Sequence, residues 1–278
     1  MVRKFKLINA DGKEYDLMAK KSFFHLPSGL GFQYAFGAES IGYDFLQTSK
    51  NLEQKVITGE MVFMGDDPYK EYQTFVSFCS KNPLKMEYRP TEKSYYINVS
   101  VQKIQKGEKE VNRLICPVDF IAWGTWYEPS VVSSAESEKE SGKIYPYTYP
   151  YQYTENAMGV AKIKNNGDIP SYCKIHIMGP CNNPTWALEQ GGEVLVRGRV
   201  LATIPRGNKL VVNSSPAEME IAEYTTNNQF VRNLYQSSDF ATGRFVIVPT
   251  GESRISFSHD GSEIIKAFAE VSILAESV

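Results

Sequence analysis

The chain has 278 residues, of which 42% are hydrophobic, and 30 Lys and Arg against 32 Asp and Glu give a net charge of −2. This length fits about two domains, each able to bury enough apolar surface to fold without disulfides or metals. A near-neutral chain has no field that would attract nucleic acid or an anionic membrane, so we expect no nucleic acid binding.

No apolar run reaches the roughly 18 residues of a membrane helix, so we expect no membrane segment. The charged N-terminus lacks a continuous apolar core, and the interpretation is a soluble protein without a secretion signal that folds in a reducing cytoplasm.

The N-terminal segment predicts a short β-hairpin. Apolar residues within 5–8 precede an Asp-Gly turn at 9–12, and apolar residues resume within 15–17. The glycine-rich segment 27–37 lacks the Lys-Ser/Thr ending of a phosphate loop, so we interpret it as a loop that enters a strand at Phe32 to Phe36.

One amphipathic helix is predicted over about residues 67–81, after a strand in 54–64. Asp67 suits the N-cap, and Pro68 suits the first helical position because its missing N–H is not needed there. Apolar residues recur at steps of three and four, which predicts a face packed on a neighbouring sheet rather than a binding box. They are Tyr69, Tyr72, Phe75, Val76 and Cys79.

A long antiparallel hairpin is predicted next. Apolar residues alternate in its first strand at Tyr95, Ile97, Val99 and Val101, and a second apolar run follows the polar break at 106–108. Pro117 lies inside this second run and cannot donate to a ladder, so the strand is either at a sheet edge or bulged there. As an edge, it could pair with another copy of the chain.

The segment SSAESEKESGK at 133–143 is polar and lacks periodicity, which predicts a domain boundary. We therefore expect an N-terminal β domain at 1–129, a linker at 130–144 and a second domain at 145–278. The tract from Tyr145 to Tyr153 has tyrosine at every second position. It is interpreted either as a strand packed on its own domain or as a stacking platform for sugars.

The rest of the second domain shows many short runs with period two, separated by turns such as 165–168 and 205–208. This pattern predicts an antiparallel β-sandwich. The stretch 228–240 is interpreted as a loop with one helical turn.

Candidate catalytic residues are few. The three histidines, His25, His176 and His259, have no second ligand at metal-binding spacing, and His259 is explained by a hairpin turn. The four cysteines form no CxxC pair, so we expect them to be buried small hydrophobic residues, with a Cys173 to Cys181 bridge as an unsupported alternative. They are Cys79, Cys116, Cys173 and Cys181. We expect no catalytic, cofactor-binding or metal site, and hence no enzyme.

Two ordered series of residues resemble the distal tail protein (Dit) family of long-tailed bacteriophages. The first series is 84–90, 95–96, Val99, Val101, Lys106, Glu108 and 126–127, and the second is the tyrosine tract, 166–168, 175–180, 183–184 and 192–193. The resemblance implies a mainly β protein with an N-terminal ring-forming β domain that carries one packed α-helix, and a C-terminal galectin-like β-sandwich.

The resemblance also implies a function. Six copies would form a homohexameric ring in the virion tail tip or baseplate, assembled in the host cytoplasm. The ring would join the tail tube protein to the tail-tip hub and to receptor-binding or fibre proteins. The alternative is a carbohydrate-binding adhesion module that uses the tract from Tyr145 to Tyr153.

A galectin-type sugar site is considered because His176, Asn183, Trp186 and Glu189 are residue types that galectins use. Galectins keep their His, Asn and Arg on one strand, whereas a Gly-Pro turn separates His176 from Asn183 and no Arg follows until Arg197. We therefore interpret Trp186 as a packing residue and the domain as galectin-like in shape only.

Overall fold

The computed structural model describes residues 3–133, 157–261 and 266–278. It divides into two compact units. The N-terminal unit comprises Met1–Glu128 and Ala275–Val278, and the C-terminal unit comprises Pro129–Leu274. Within the described ranges, no helix is long and apolar enough to cross a membrane.

The N-terminal unit is built from antiparallel strands and one helix. Its elements are β1 (Lys4–Ile8), β2 (Glu14–Asp16), β3 (Ser22–Ser28), β4 (Tyr34–Ile41), β5 (Asp44–Leu52), β6 (Val56–Met64), α1 (Pro68–Cys79), β7 (Leu84–Arg89), β8 (Tyr95–Ile104), β9 (Lys109–Glu110), β10 (Arg113–Ala122) and β11 (Trp126–Ser133), which runs on past Glu128. The strands β2, β1, β7 and β8 lie side by side in that order. β10 pairs with β8, β9 and β6, and β6 also pairs with β3.

The predicted hairpin of β8 and β10 is confirmed. Ile97 and Val99 of β8 are buried, as are Leu114, Val118 and Phe120 of β10, because alternate side chains of both strands face one core. The two strands pair antiparallel, with a register shift between Asp119 and Phe120.

The prediction of an edge strand at Pro117 is wrong, because β10 is an interior strand. Pro117 pairs with Glu60 of β6 on one side. On the other side its carbonyl accepts a 2.9 Å hydrogen bond from the backbone N–H of Gln105. A strand residue presents its N–H and C=O to the same neighbour, so the missing N–H faces Gln105, just past the end of β8, and only this one ladder bond is absent. The alternative of a bulge is also misplaced, because the bulge of β10 lies between Asp119 and Phe120 rather than at Pro117, and no free edge for another copy exists there.

The predicted helix is confirmed as α1. The Asp67 carboxylate accepts a 3.1 Å hydrogen bond from the backbone N–H of Lys70, and Pro68 opens the helix. Phe75 and Cys79 are buried, and the Phe75 ring lies 5.7 Å from that of Phe63 in β6. Val76, predicted on the packed face, is 38% exposed, because one residue turns the helix by about 100° away from Phe75.

The C-terminal unit is a β-sandwich, in which two antiparallel sheets share one core. Its strands are β12 (Ala157–Asn165), β13 (Ser171–Met178), β14 (Cys181–Asn182), β15 (Thr185–Gln190), β16 (Glu193–Arg199), β17 (Thr203–Ile204), β18 (Asn208–Asn213), β19 (Glu220–Thr225), β20 (Phe230–Asn233), β21 (Ile247–Val248), β22 (Gly251–Ser258) and β23 (Ala267–Ala275). One sheet has the order β23, β13, β18, β19, β20, with β21 on β13, and the other has the order β12, β22, β15, β16. Ile175 and Leu210 of the first sheet meet Trp186 and Ile255 of the second in the core.

Two segments differ from their sequence interpretation. Within 228–240, the expected helical turn is present as a 3₁₀ turn at Tyr235–Ser237, but β20 precedes it as an unpredicted strand. The strand expected at Phe32 to Phe36 begins at Tyr34 and is half of an unpredicted hairpin with β5. The predicted fold class, mainly β with antiparallel sheets and a single α-helix among the described residues, is confirmed.

Candidate assembly surface

The hairpin of β4 and β5, called the ribbon below, forms a two-stranded sheet of its own. Its pairs run from Tyr34 opposite Leu52 to Ile41 opposite Asp44, with a bulge between Gly37 and Ala38. At its tip, Gly42 has a φ of 64° in the first position of a two-residue turn, where a type II′ hairpin turn requires glycine.

One side of the ribbon is rich in aromatic residues. Alternation along each strand and the pairing register place Tyr34, Phe36, Phe45 and Leu52 on this side, which we call the aromatic face. Phe36 is 60% exposed and Phe45 is 78% exposed. The ring of Phe36 lies 6.1 Å from that of Tyr34, and the Lys50 ammonium lies 3.8 Å from the centre of the Tyr34 ring.

The opposite side and the tip add further exposed apolar residues. Ile41 and Leu46 are both more than half exposed, and Tyr43 at the tip is fully exposed. Exposed apolar side chains are normal when scattered, but their concentration on one two-stranded element indicates a candidate docking surface. The ribbon is therefore the candidate functional surface of the described chain.

The histidines do not come together. His25 lies exposed in β3, with its Nδ1 3.6 Å from a carboxylate oxygen of Glu60. His259 accepts a 2.9 Å hydrogen bond at Nδ1 from the backbone N–H of Gly261. His176 is buried in β13, in the other unit from His25. Among the described residues, no group of three or more His, Cys, Asp or Glu is arranged to hold a metal ion.

His176 packs inside the sheet between an aromatic ring and a carboxylate. It stacks on Phe268 with ring centres 4.3 Å apart and a 7° angle between the planes. Its Nε2 lies 3.3 Å from a carboxylate oxygen of Glu270. Burial, with Lys209 and Lys174 nearby, lowers the pKa of His176 to about 4.

The four residues considered for a galectin-type site are dispersed. Trp186 is fully buried and donates from Nε1 to the carbonyl of Arg244 at 3.0 Å, which explains it as a packing residue. Asn183 donates to Asp260 at 2.7 Å, Glu189 accepts from Arg254 at 2.8 Å, and His176 lies in the opposite sheet. Arg197 pairs with Ala187 across β15 and β16. The described residues assemble no sugar site from this set.

A groove of about 540 Å³ lies on the C-terminal unit, over the strands β12, β22 and β15. Its charged side chains largely pair with one another, as Arg254 does with Glu189 at 2.6 Å and Lys164 with Glu252 at 3.9 Å. The groove is lined by no histidine or cysteine.

All four cysteines are buried and free, as predicted. Burial raises the pKa of the Cys79, Cys173 and Cys181 thiols to about 12, so these thiols stay protonated and serve as packing groups. The tract from Tyr145 to Tyr153 lies outside the described residues, as does the predicted linker of 130–144 from residue 134 onward. Its first residues, 130–133, belong to β11.

The chain is similar to known phage proteins in both sequence and fold. Residues 4–123 match the family model described as distal tail protein, N-terminal domain. No curated protein matches the chain by sequence. A chain of the phage P2 baseplate in its activated conformation with Ca has a TM-score of 0.70 at 18% identity, with 100% of both chains covered.

Two further solved structures share this fold. The same baseplate with Sr gives a TM-score of 0.69 at 17% identity, again over 100% of both chains. The Dit protein of phage SPP1 gives a TM-score of 0.66 at 10% identity, over 96% of this chain and 98% of that one. At these identities, the likeness establishes a shared fold across nearly the whole chain.

Proposed function

This chain belongs, through residues 4–123, to the distal tail protein family of bacteriophages, and we propose that six copies of it close a ring in the phage tail tip. The protein works by assembly rather than by catalysis. Its place is the virion tail tip or baseplate, after assembly in the host cytoplasm.

The observation that carries this proposal is the exposed aromatic face of the ribbon. A single two-stranded hairpin is at best marginally stable in water, and this one exposes Phe36 and Phe45 to solvent. A second copy of the chain that covers this face would remove apolar area from water. Repeated head to tail, such a contact closes into a ring when its rotation allows.

The partners follow from the family and from the similar structures. One similar chain is part of an activated phage baseplate, and the SPP1 Dit protein is described as a paradigm of the hub adsorption apparatus in phages that infect Gram-positive bacteria. By analogy, the ring of this chain joins the tail tube protein on one side and the tail-tip hub on the other. The C-terminal unit faces receptor-binding or fibre proteins. Its likeness to these baseplate folds supports this part of the proposal.

Light scattering on the full chain tests the ring. We expect a mass near six times 31.4 kDa. The double variant Phe36→Ser and Phe45→Ser should shift the protein to monomer without changing its circular dichroism. Val76→Ser, which removes a partly exposed apolar side chain on α1, is the matched control and should leave the mass unchanged.

A hexamer that persists in the double variant would show that the ribbon is not the contact. A monomer that binds glycans, and loses this binding when Tyr147, Tyr149 and Tyr151 become Ala, would favour the adhesion module instead.

A further inference from the structure

The ribbon is anchored at its root, close to the last residues of the chain. The backbone N–H of Glu53 donates to the carbonyl of Gln33 at 2.9 Å, which closes the base of the hairpin. In the described chain, β4 and β5 pair with each other and with no other strand. Because a two-stranded ribbon gains little stability from its own pairing, its direction depends on contacts at this root.

Glu276 makes two of these root contacts with different atoms. Its side-chain carboxylate accepts a short hydrogen bond from the hydroxyl of Tyr34, the first residue of the ribbon. Its backbone carbonyl accepts a 3.1 Å hydrogen bond from the ammonium of Lys55, just before β6. The flanking Ala275 and Val278 pack against the core of the N-terminal unit. One residue thus bridges the ribbon and the body of the unit.

Lys55 supports the same junction. Its ammonium also lies 3.4 Å from the carbonyl of Leu30, and the Nε1 of the buried Trp126 donates to this carbonyl at 3.2 Å. Burial lowers the pKa of Lys55 to about 8, as expected for an ammonium that is partly removed from water. The carbonyls of Leu30 and Glu276 replace part of its lost hydration.

We propose that Glu276 is a positioning residue that fixes the direction of the ribbon before a second copy of the chain docks on it. This inference rests on the proposed role of the ribbon in ring assembly. A ribbon held in its docking direction loses less conformational entropy when a neighbour binds, which tightens the contact between subunits. The C-terminal residues then act in assembly without themselves touching the neighbour.

Hydrogen exchange of the full chain tests this role. In Glu276→Ala and in Tyr34→Phe, backbone amides in 36–49 should exchange about tenfold faster, as the loss of a hydrogen bond to a charged group predicts. The two changes together should add little to either one, because both remove the same contact. Glu276→Gln keeps an acceptor oxygen and should restore most of the protection.

The control is Glu53→Ala, which removes an exposed carboxylate at the ribbon root and keeps the backbone hydrogen bond to Gln33. Exchange in β6 and β10 should stay unchanged in every variant. The proposal is overturned if Glu276→Ala leaves the ribbon unchanged, or if β6 and β10 loosen to the same extent as the ribbon.

Light scattering on the same samples separates the two proposals. Faster exchange of the ribbon in Glu276→Ala, with the unaltered chain monomeric, would show that Glu276 anchors the ribbon but would contradict the ring and, with it, any role of this anchor in docking. Unaltered exchange with a hexamer still formed would support the ring and overturn the positioning role. If both hold, the subunits of Glu276→Ala should associate about tenfold more weakly.

Discussion

Glu223 of β19 is 1% exposed, and its carboxylate accepts a 2.6 Å hydrogen bond from the Nε of Arg232 in β20. The amide of Asn208 donates to the other carboxylate oxygen at 2.5 Å. Arg232 is about half exposed and also donates to the carbonyl of Thr203 at 3.1 Å. The edge strand β20 therefore supplies the cation that compensates a carboxylate buried at the border of the core.

Removing this cation should destabilise the C-terminal unit. Arg232→Ala leaves the Glu223 carboxylate buried with only Asn208 as a partner, which should lower the free energy of unfolding by about 3 kcal/mol. Urea denaturation followed by circular dichroism measures the loss. Arg113→Ala is the control, because the ion pair of Arg113 with Glu110 is exposed and should contribute less than about 1 kcal/mol. Equal losses in the two variants would contradict a special role of Glu223.

Gly198 of β16 lies against the face of a buried tryptophan. A Cβ at this position would come within 2.3 Å of the Trp186 ring. Gly198→Ala should therefore force the ring to shift and lower the stability of the C-terminal unit by about 2 kcal/mol. Trp fluorescence during urea unfolding reports this change. Gly31→Ala meets no atom within 4 Å and should unfold like the parent chain. Unchanged stability in Gly198→Ala would contradict this expectation, because it would mean that β16 can shift away from the Trp186 ring without a loss of free energy.

The burial of His176 predicts a dependence of stability on acid. Its pKa is about 4 in the folded chain and near 6.5 when exposed, so the unfolded state binds one more proton between these values. Stability should fall as the pH drops from about 6.5 to 4 and level off below. The neighbouring charges are Lys174 on its own strand and, on the adjoining strands, Lys209 and Glu270.

His176→Leu tests this dependence, because it removes the proton acceptor but keeps an apolar contact for Phe268. Between pH 6.5 and 4, the slope of the unfolding free energy against pH should become flatter by up to one proton, worth about 3 kcal/mol across the range. If the unfolding free energy of His176→Leu had the same slope against pH as that of the parent chain, His176 would not be the source of the acid dependence.

The N-cap of α1 gives a fourth stability test. Asp67→Ala removes the acceptor for the backbone N–H of Lys70 and should lower the free energy of unfolding by about 1 kcal/mol. The neighbouring Asp66→Ala is the control and should cost only a few tenths of this. Thermal unfolding of the two variants, measured side by side, gives the comparison. A larger loss of stability in Asp66→Ala than in Asp67→Ala would contradict the assignment of Asp67 as the N-cap.

Local patterns were sufficient to predict the parts of the fold that bury one face. The cap at Asp67, the spacing that buries Phe75, and the alternation around Ile97 each depend on neighbours close in sequence. The ribbon escaped prediction because exposed residues dominate both of its faces, so Asp44–Leu52 carries no period-two signal. Pro117 was misplaced at an edge because the direction of its missing N–H depends on Gln105, whose position only the folded hairpin reveals.

The residues of the candidate surface could not be predicted from the sequence. Balanced charge and the spacing of the histidines argued only against nucleic acid binding and a metal site, whereas the surface itself came from exposure that no pattern encodes. Glu276 could not have been found from the sequence, because it meets Tyr34 from a position 242 residues away.

The return of Ala275–Val278 to the N-terminal unit has a consequence for how this protein can be divided or recombined. The C-terminal unit is an insertion between two pieces of the other unit rather than an appendage at its end. Exchanging it with that of a relative therefore needs two crossover points, one near Glu128 and one near Leu274. A fragment that simply stops at Glu128 would leave a vacant place in its core where Ala275 packs.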